Sequence, residues 1–149
     1  MQKDYQCLFE TRTSPSEVFD RINRVADWWV TDVRGRSTQL NDEFSVHFGK
    51  TYSLFKIIEF MPPNKIVWFV KECYLQPFEN KTEWKGTQIV FEISKSQEVT
   101  QVKMIHKGLY PGVECYDDCR EGWNYYVGKS LQALVNTGKG IPHIPEVEA

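Results

Sequence analysis

The 149 residues carry 18 basic against 20 acidic side chains, a formal net charge of −2, with 41% hydrophobic and 26% charged residues. This is the profile of one ordinary globular domain able to bury a core without staples. No block of Lys or Arg occurs, which argues against nucleic-acid binding by phosphate neutralisation. The longest apolar run, Ile66 to Val70, is far too short to span a bilayer.

The opening residues Met1-Gln2-Lys3-Asp4-Tyr5 lack the apolar stretch of a secretory signal, so the sequence reads as cytoplasmic. Cys7, Cys73, Cys115 and Cys119 are accordingly expected as free thiols.

From Tyr5 to Thr13 polar and apolar residues alternate, with Tyr5, Cys7 and Phe9 on one face of a half-buried strand. Ser14-Pro15-Ser16-Glu17 is a helix start. Ser14 can cap, Pro15 suits the first helical position and Glu17 can complete a capping box. This helix turns Val18, Phe19 and Ile22 inward and ends near Asn23 or Arg24. Asp27-Trp28-Trp29 reads as a second, short helical turn.

After Gly35 the pattern is that of strands. Phe44, Val46 and Phe48 alternate with Ser45 and His47, leaving His47 exposed. Tyr52 to Met61 is stopped by Pro62-Pro63-Asn64, and Lys65 to Tyr74 is the most apolar strand, with the facing of Val67 and Trp68 left open. Glu79 to Gly86 is a polar loop holding Trp84. Ile89, Phe91 and Ile93 alternate next, and Ser94 to Glu98 turns into Thr100 to His106. The short connections imply antiparallel hairpins.

One uninterrupted helix then spans about Glu114 to Thr137 and stops at Gly138, a C-terminal cap. At 100° per residue its inward side carries Tyr116, Cys119, Trp123, Val127, Ser130, Leu131 and Leu134. Asp118, Glu121, Tyr125, Lys129, Gln132 and Asn136 fall on the other side. The inward side mixes thiol, indole and hydroxyl groups, the composition of a helix that lines something as well as filling space. The domain spans residues 1–140, and residues 141–149, with Pro142 and Pro145, form a loose tail.

These elements define an α+β, helix-grip architecture. A curved antiparallel β-sheet wraps around the long C-terminal α-helix, with two short helices after the first strand. A ligand cavity fits between sheet and helix.

The residues Ser14-Pro15-x-Glu17-Val18-Phe19, Trp28-Trp29 and Pro62-x-x-Lys65-Ile66-Val67-Trp68 resemble a known family. So do Thr82-Glu83-Trp84-x-Gly86-Thr87, His106-x-Gly108-Leu109, the stretch from Glu114-Cys115-Tyr116-Asp117 to Trp123, and Thr137-Gly138-x-Gly140. The family is the START-like (SRPBCC) superfamily, the helix-grip fold shared with birch-pollen-allergen-like proteins. Within it the likeness is to bacterial homologues of the heat-shock-protein-90 ATPase activator group, and it runs from Tyr5 to Gly140. The resemblance implies a hydrophobic cavity between sheet and helix and transfers no catalytic residue. Eukaryotic activators that name the group carry an additional N-terminal domain for chaperone contact. This sequence opens its first strand at Tyr5, so chaperone contact is the lesser expectation.

The residues expected to line the cavity are Trp29, Phe44, Phe91, Met104, His106, Tyr110, Cys119, Trp123 and Val127. His106 admits two readings. It is either a general base or ligand anchor, or a core histidine bonded to Tyr110, Tyr116 or a backbone carbonyl. Among the five tryptophans, Trp123 is the first choice for the cavity and Trp29 the second. Cys115 and Cys119 share a helix face, but no further ligands at zinc spacing accompany them, so they read as packing, and no metal or cofactor is expected.

The expected partner is a small, mostly hydrophobic molecule, held by a carrier or sensor. The alternatives are a cyclase- or hydro-lyase-like enzyme using His106, or a chaperone-associated interaction module.

Overall fold

Alternation of apolar and polar residues produces seven strands in the computed structural model, which describes residues 3–145. They are β1 (Tyr5–Thr11), β2 (Val33–Gly35), β3 (Glu43–Phe48), β4 (Thr51–Met61), β5 (Lys65–Tyr74), β6 (Gln88–Ser96) and β7 (Val99–Lys107). All pair antiparallel, in the order β1-β7-β6-β5-β4-β3-β2. Strand β2 escapes the pattern because three residues are too few to show an alternation. The register is irregular between Leu54 and Phe55 and between Ile57 and Glu59, places where a sheet bends.

Helix α1 (Pro15–Asn23) begins as its sequence dictates: the Ser14 hydroxyl accepts from the Glu17 amide at 3.3 Å, with Pro15 in the first turn. Val18, Phe19 and Ile22 are buried. A 3-10 turn at Val25–Asp27 follows, so the short helical turn precedes Trp28-Trp29 instead of containing them.

The C-terminal helix runs for 22 residues, roughly 33 Å at 1.5 Å per residue. It comprises α2 (Tyr116–Tyr125), a widened π-helical stretch at Tyr126–Leu131 and α3 (Gln132–Thr137). It starts two residues later than the periodicity implies and is not uniform. The turn that leads into it is held from afar, since the Glu83 carboxylate accepts from the amides of Glu114 (2.7 Å) and Cys115 (3.1 Å). Gly138, at φ 86°, ends the helix as expected.

Trp68 faces inward and is fully buried, which settles the facing of β5. Val67, on the opposite side, is also buried, so the strand is covered on both faces there. Inside the curve, Trp28 lies against both Trp29 and Trp68 at 5.8 and 6.3 Å, those two lie 6.3 Å from each other, and Phe91 meets Trp28 edge-on. The indole N–H of Trp28 donates to the Ile22 carbonyl at 3.0 Å.

The segment after the helix is not the loose tail expected of it, at least as far as His143. The Ile141 amide donates to Ser130 Oγ, the His143 amide donates to the Trp29 carbonyl, and the Thr31 amide donates to the His143 carbonyl. Backbone groups of the Trp29–Thr31 stretch find partners this way, a constraint invisible in the tail's composition. Gly140 makes the crossing possible, because an added Cβ would collide with the Asp27 carbonyl oxygen. Gly140→Ala is expected to cost about 1–3 kcal/mol through forced displacement of the packed backbone, read by chemical denaturation.

Candidate functional site

His106 lies on the inward face of β7, paired with Tyr5 on one side and Ile89 on the other. It is fully buried. Its hydrogen bonds fix its chemistry. The Thr87 hydroxyl spends its proton on the Trp84 carbonyl at 2.6 Å, so across the 2.9 Å contact the imidazole Nε2–H donates to Thr87. Nδ1 then accepts from the Trp123 indole N–H at 3.1 Å. Burial pushes the His106 pKa down to about 3, and both ring nitrogens are occupied in the neutral form. This is a satisfied core histidine, with Thr87 and Trp123 as partners in place of Tyr110 or Tyr116.

Trp84, from the polar loop between β5 and β6, turns inward because its ring packs edge-on against His106 at 4.7 Å and stacks on Trp123 at 5.7 Å. Trp123 in turn meets Trp29 at 4.7 Å. Beside these three indoles the sheet and helix part, leaving an open pocket of about 190 Å³. Its buried floor is Trp29, Val46, Ser53, Leu75, Trp84 and Trp123. Ser53 brings the only hydroxyl to that floor. The rim is formed by Phe48, Tyr52, Phe78, Tyr126 and the exposed carboxylate of Asp118. Tyr126 opens the π-helical stretch, a helix irregularity that recurs at functional sites.

Of the residues expected to line the cavity, Trp29, Cys119 and Trp123 meet at this pocket. Phe44, Phe91, Met104, His106 and Val127 lie in packed core outside it, since Trp28 and Trp68 fill the middle of the sheet's concave side. Tyr110 is 37% exposed on the turn after β7, away from the pocket. The sequence pattern omits Ser53, Leu75, Phe78, Tyr126 and Asp118 from the lining, because several reach it from loops or from the helix flank. Trp84, which the sequence places as an indole in a polar loop, joins them.

His47 is half-buried instead of exposed, held against Ser45 Oγ at 2.7 Å and stacked on Tyr52. His143 stacks on Phe48 at 5.2 Å. All four cysteines are free thiols. A shared hydrogen bond with Cys119, together with burial, pushes the Cys115 thiol up, the opposite of what an activated thiolate needs. Among the described residues no group of His, Cys, Asp and Glu is placed to hold a metal ion. No helix among them is long and apolar enough to cross a membrane.

A scan against protein-family models finds no match, and a search of curated proteins finds none either. Solved structures do match. The chain is similar to the Aha1 protein of Colwellia psychrerythraea, solved as a dimer, at 19% identity and TM-score 0.75, covering 92% of this chain and 98% of that one. It is similar to PFC0360w, an HSP90 activator from Plasmodium falciparum, at 16% identity and TM-score 0.60, covering 89% and 93%. DynU16, from the dynemicin biosynthetic locus, matches at 16% identity and TM-score 0.65, covering 91% of this chain and 48% of that one. The likeness shows the fold, a helix-grip arrangement of a curved antiparallel sheet and a C-terminal helix, an architecture that hosts many unrelated activities.

Proposed function

We propose that this protein binds a small, mostly apolar molecule in the pocket walled by Trp29, Trp84 and Trp123. The observation that carries the reading is an open, aromatic-lined recess between sheet and helix in a domain whose remaining interior is closely filled. An apolar cavity of about 150 Å³ is enough to hold benzene, so about 190 Å³ accommodates a group the size of one ring. His106 favours binding over catalysis. Its lone pair is taken by Trp123, and a general base must be free to accept a proton.

Gly122 supplies the test. It lines the pocket on α2, and an added Cβ there meets nothing within 4 Å. Gly122→Leu is expected to fill the recess from the helix while raising helix propensity by about 1 kcal/mol. Native mass spectrometry of gently purified protein should show an extra mass in the small-molecule range that denaturation releases and Gly122→Leu abolishes. Equal native and denatured masses, with no small molecule recovered, would count against the reading. A second reading, contact with an Hsp90-type chaperone, draws on the likeness to the Plasmodium protein. Co-sedimentation with a purified chaperone that persists in Gly122→Leu would favour it.

A further inference from the structure

The charge within the pocket's lining is of one sign. Among the described residues its lining includes one carboxylate, Asp118, and no Lys, Arg or His. The rim adds the rings of Phe48, Tyr52, Phe78 and Tyr126 to the indoles of the floor. Aromatic faces are electron-rich and attract cations, most strongly where water is excluded.

Asp118 sits in the first turn of α2, where the helix end would by itself disfavour a cation. Acidic groups offset that end. Asp117 shares the first turn, and Glu83 accepts from the leading amides at Glu114 and Cys115. Glu114 accepts from the amides of Glu79 (3.1 Å) and Asn80 (3.0 Å), which hold its carboxyl below the usual range and so ionised.

The nearest base on the loop, Lys81, is turned to the carbonyls of Gln76 (2.8 Å) and Phe78 (2.6 Å). Arg120 lies over the Tyr116 ring, outside the lining.

We infer that the ligand is a small organic cation: a ring-sized apolar group seated among the indoles and carrying an amine or quaternary ammonium at the rim beside Asp118. The inference rests on the pocket's being a ligand site and adds the ligand's charge. An anionic ligand meets a carboxylate and ring faces with no basic partner. A neutral one can at most donate a hydrogen bond to Asp118 and gains no charge pair or cation–π contact.

Three probes with the same ring distinguish the cases: benzyltrimethylammonium, benzyl alcohol and phenylacetate, titrated against the native chain by calorimetry at low salt. The cation is expected to bind about tenfold tighter than the alcohol, the yield of one cation–π contact plus one exposed charge pair. Phenylacetate is expected to bind weakest. Asp118→Asn should narrow the cation-to-alcohol ratio about threefold, as loss of an exposed pair would, and Gly122→Leu should remove binding of the cation.

Equal affinities for the three probes, or tightest binding of the acid, would overturn the cation inference while leaving the pocket a ligand site. Cation binding that survives Gly122→Leu would place it elsewhere and overturn the inference as well. If none of the probes binds, the inference fails, and the ligand-bound mass measured on the native protein decides the broader reading independently.

Discussion

Replacing Trp28 by Ala is expected to cost about 4 kcal/mol, the middle of the range for truncating a large buried ring. Trp28 is completely buried, stacks on both Trp29 and Trp68, and meets Phe91 edge-on. Two of its polar atoms also join elements. Its N–H donates to the Ile22 carbonyl at the end of α1, and its carbonyl accepts from the Ser130 hydroxyl on the C-terminal helix at 2.6 Å. The substitution leaves the backbone carbonyl in place but opens a cavity and orphans the Ile22 acceptor. For a chain of this size, roughly 3 °C per kcal/mol translates the loss into a fall in Tm of about 12 °C. Urea denaturation with an unchanged m-value is the direct measurement. A loss under about 1.5 kcal/mol would mean that the indoles do not form the centre of the core.

The second large effect is a dependence on pH. The His106 imidazole has a pKa of about 3 in the folded state against an ordinary value of 6.5. The unfolded chain therefore binds the proton more readily than the folded one. The contribution is fully present above about pH 6.5 and is lost progressively as the pH falls toward 3. Between pH 6.5 and 5 the expected loss is about 2 kcal/mol, at 1.36 kcal/mol per pH unit.

Geometry reinforces the sign. A proton added at Nδ1 would confront the N–H of Trp123, and it cannot go to Nε2, which already carries one. His47 is shifted in the same direction by partial burial, mainly through desolvation, and adds a smaller slope. In His106→Gln the overall stability should be lower and the slope between pH 6.5 and 5 should nearly vanish. A wild-type slope retained in the variant would assign the titration to another group. The acid weakening also sets a practical condition: ligand measurements belong at pH 7 or above, where His106 is neutral.

These two expectations concern the packed half of the interior, and the pocket is its complement. The tryptophans fill the middle of the sheet's concave face and stop at the end where β3, β4 and the β5–β6 connection approach α2. Large rings close most of the gap between sheet and helix, and the remaining space is small and lies at the rim. A cavity extending along the helix, with Phe91, Met104 and Val127 in its wall, would require smaller residues in place of Trp28 and Trp68.

The sequence by itself determined the features that depend on neighbours along the chain. Ser14 and Pro15 set the start of α1, Gly138 stops the last helix, and the period-2 runs mark five of the six strands after the short helices. Those features rest on hydrogen bonds and side-chain directions within a few residues, so local pattern is sufficient.

Features that join distant residues were decided by the tertiary structure alone. Glu83 holds the turn before the C-terminal helix, accepting from an amide 31 residues further on, and Trp84 leaves a polar loop to pack on His106 and Trp123. The inward histidine was legible from the alternation of β7, but its partner Thr87 was not, because only the β6–β7 pairing brings the two side by side. Ile141 to His143, although it contains Pro142, is pinned by Ser130, Trp29 and Thr31. The pocket is of the same kind. Its walls come from four separate stretches of chain, and whether space remains among them depends on how the large rings settle, a balance of volumes in three dimensions that no spacing along the sequence encodes.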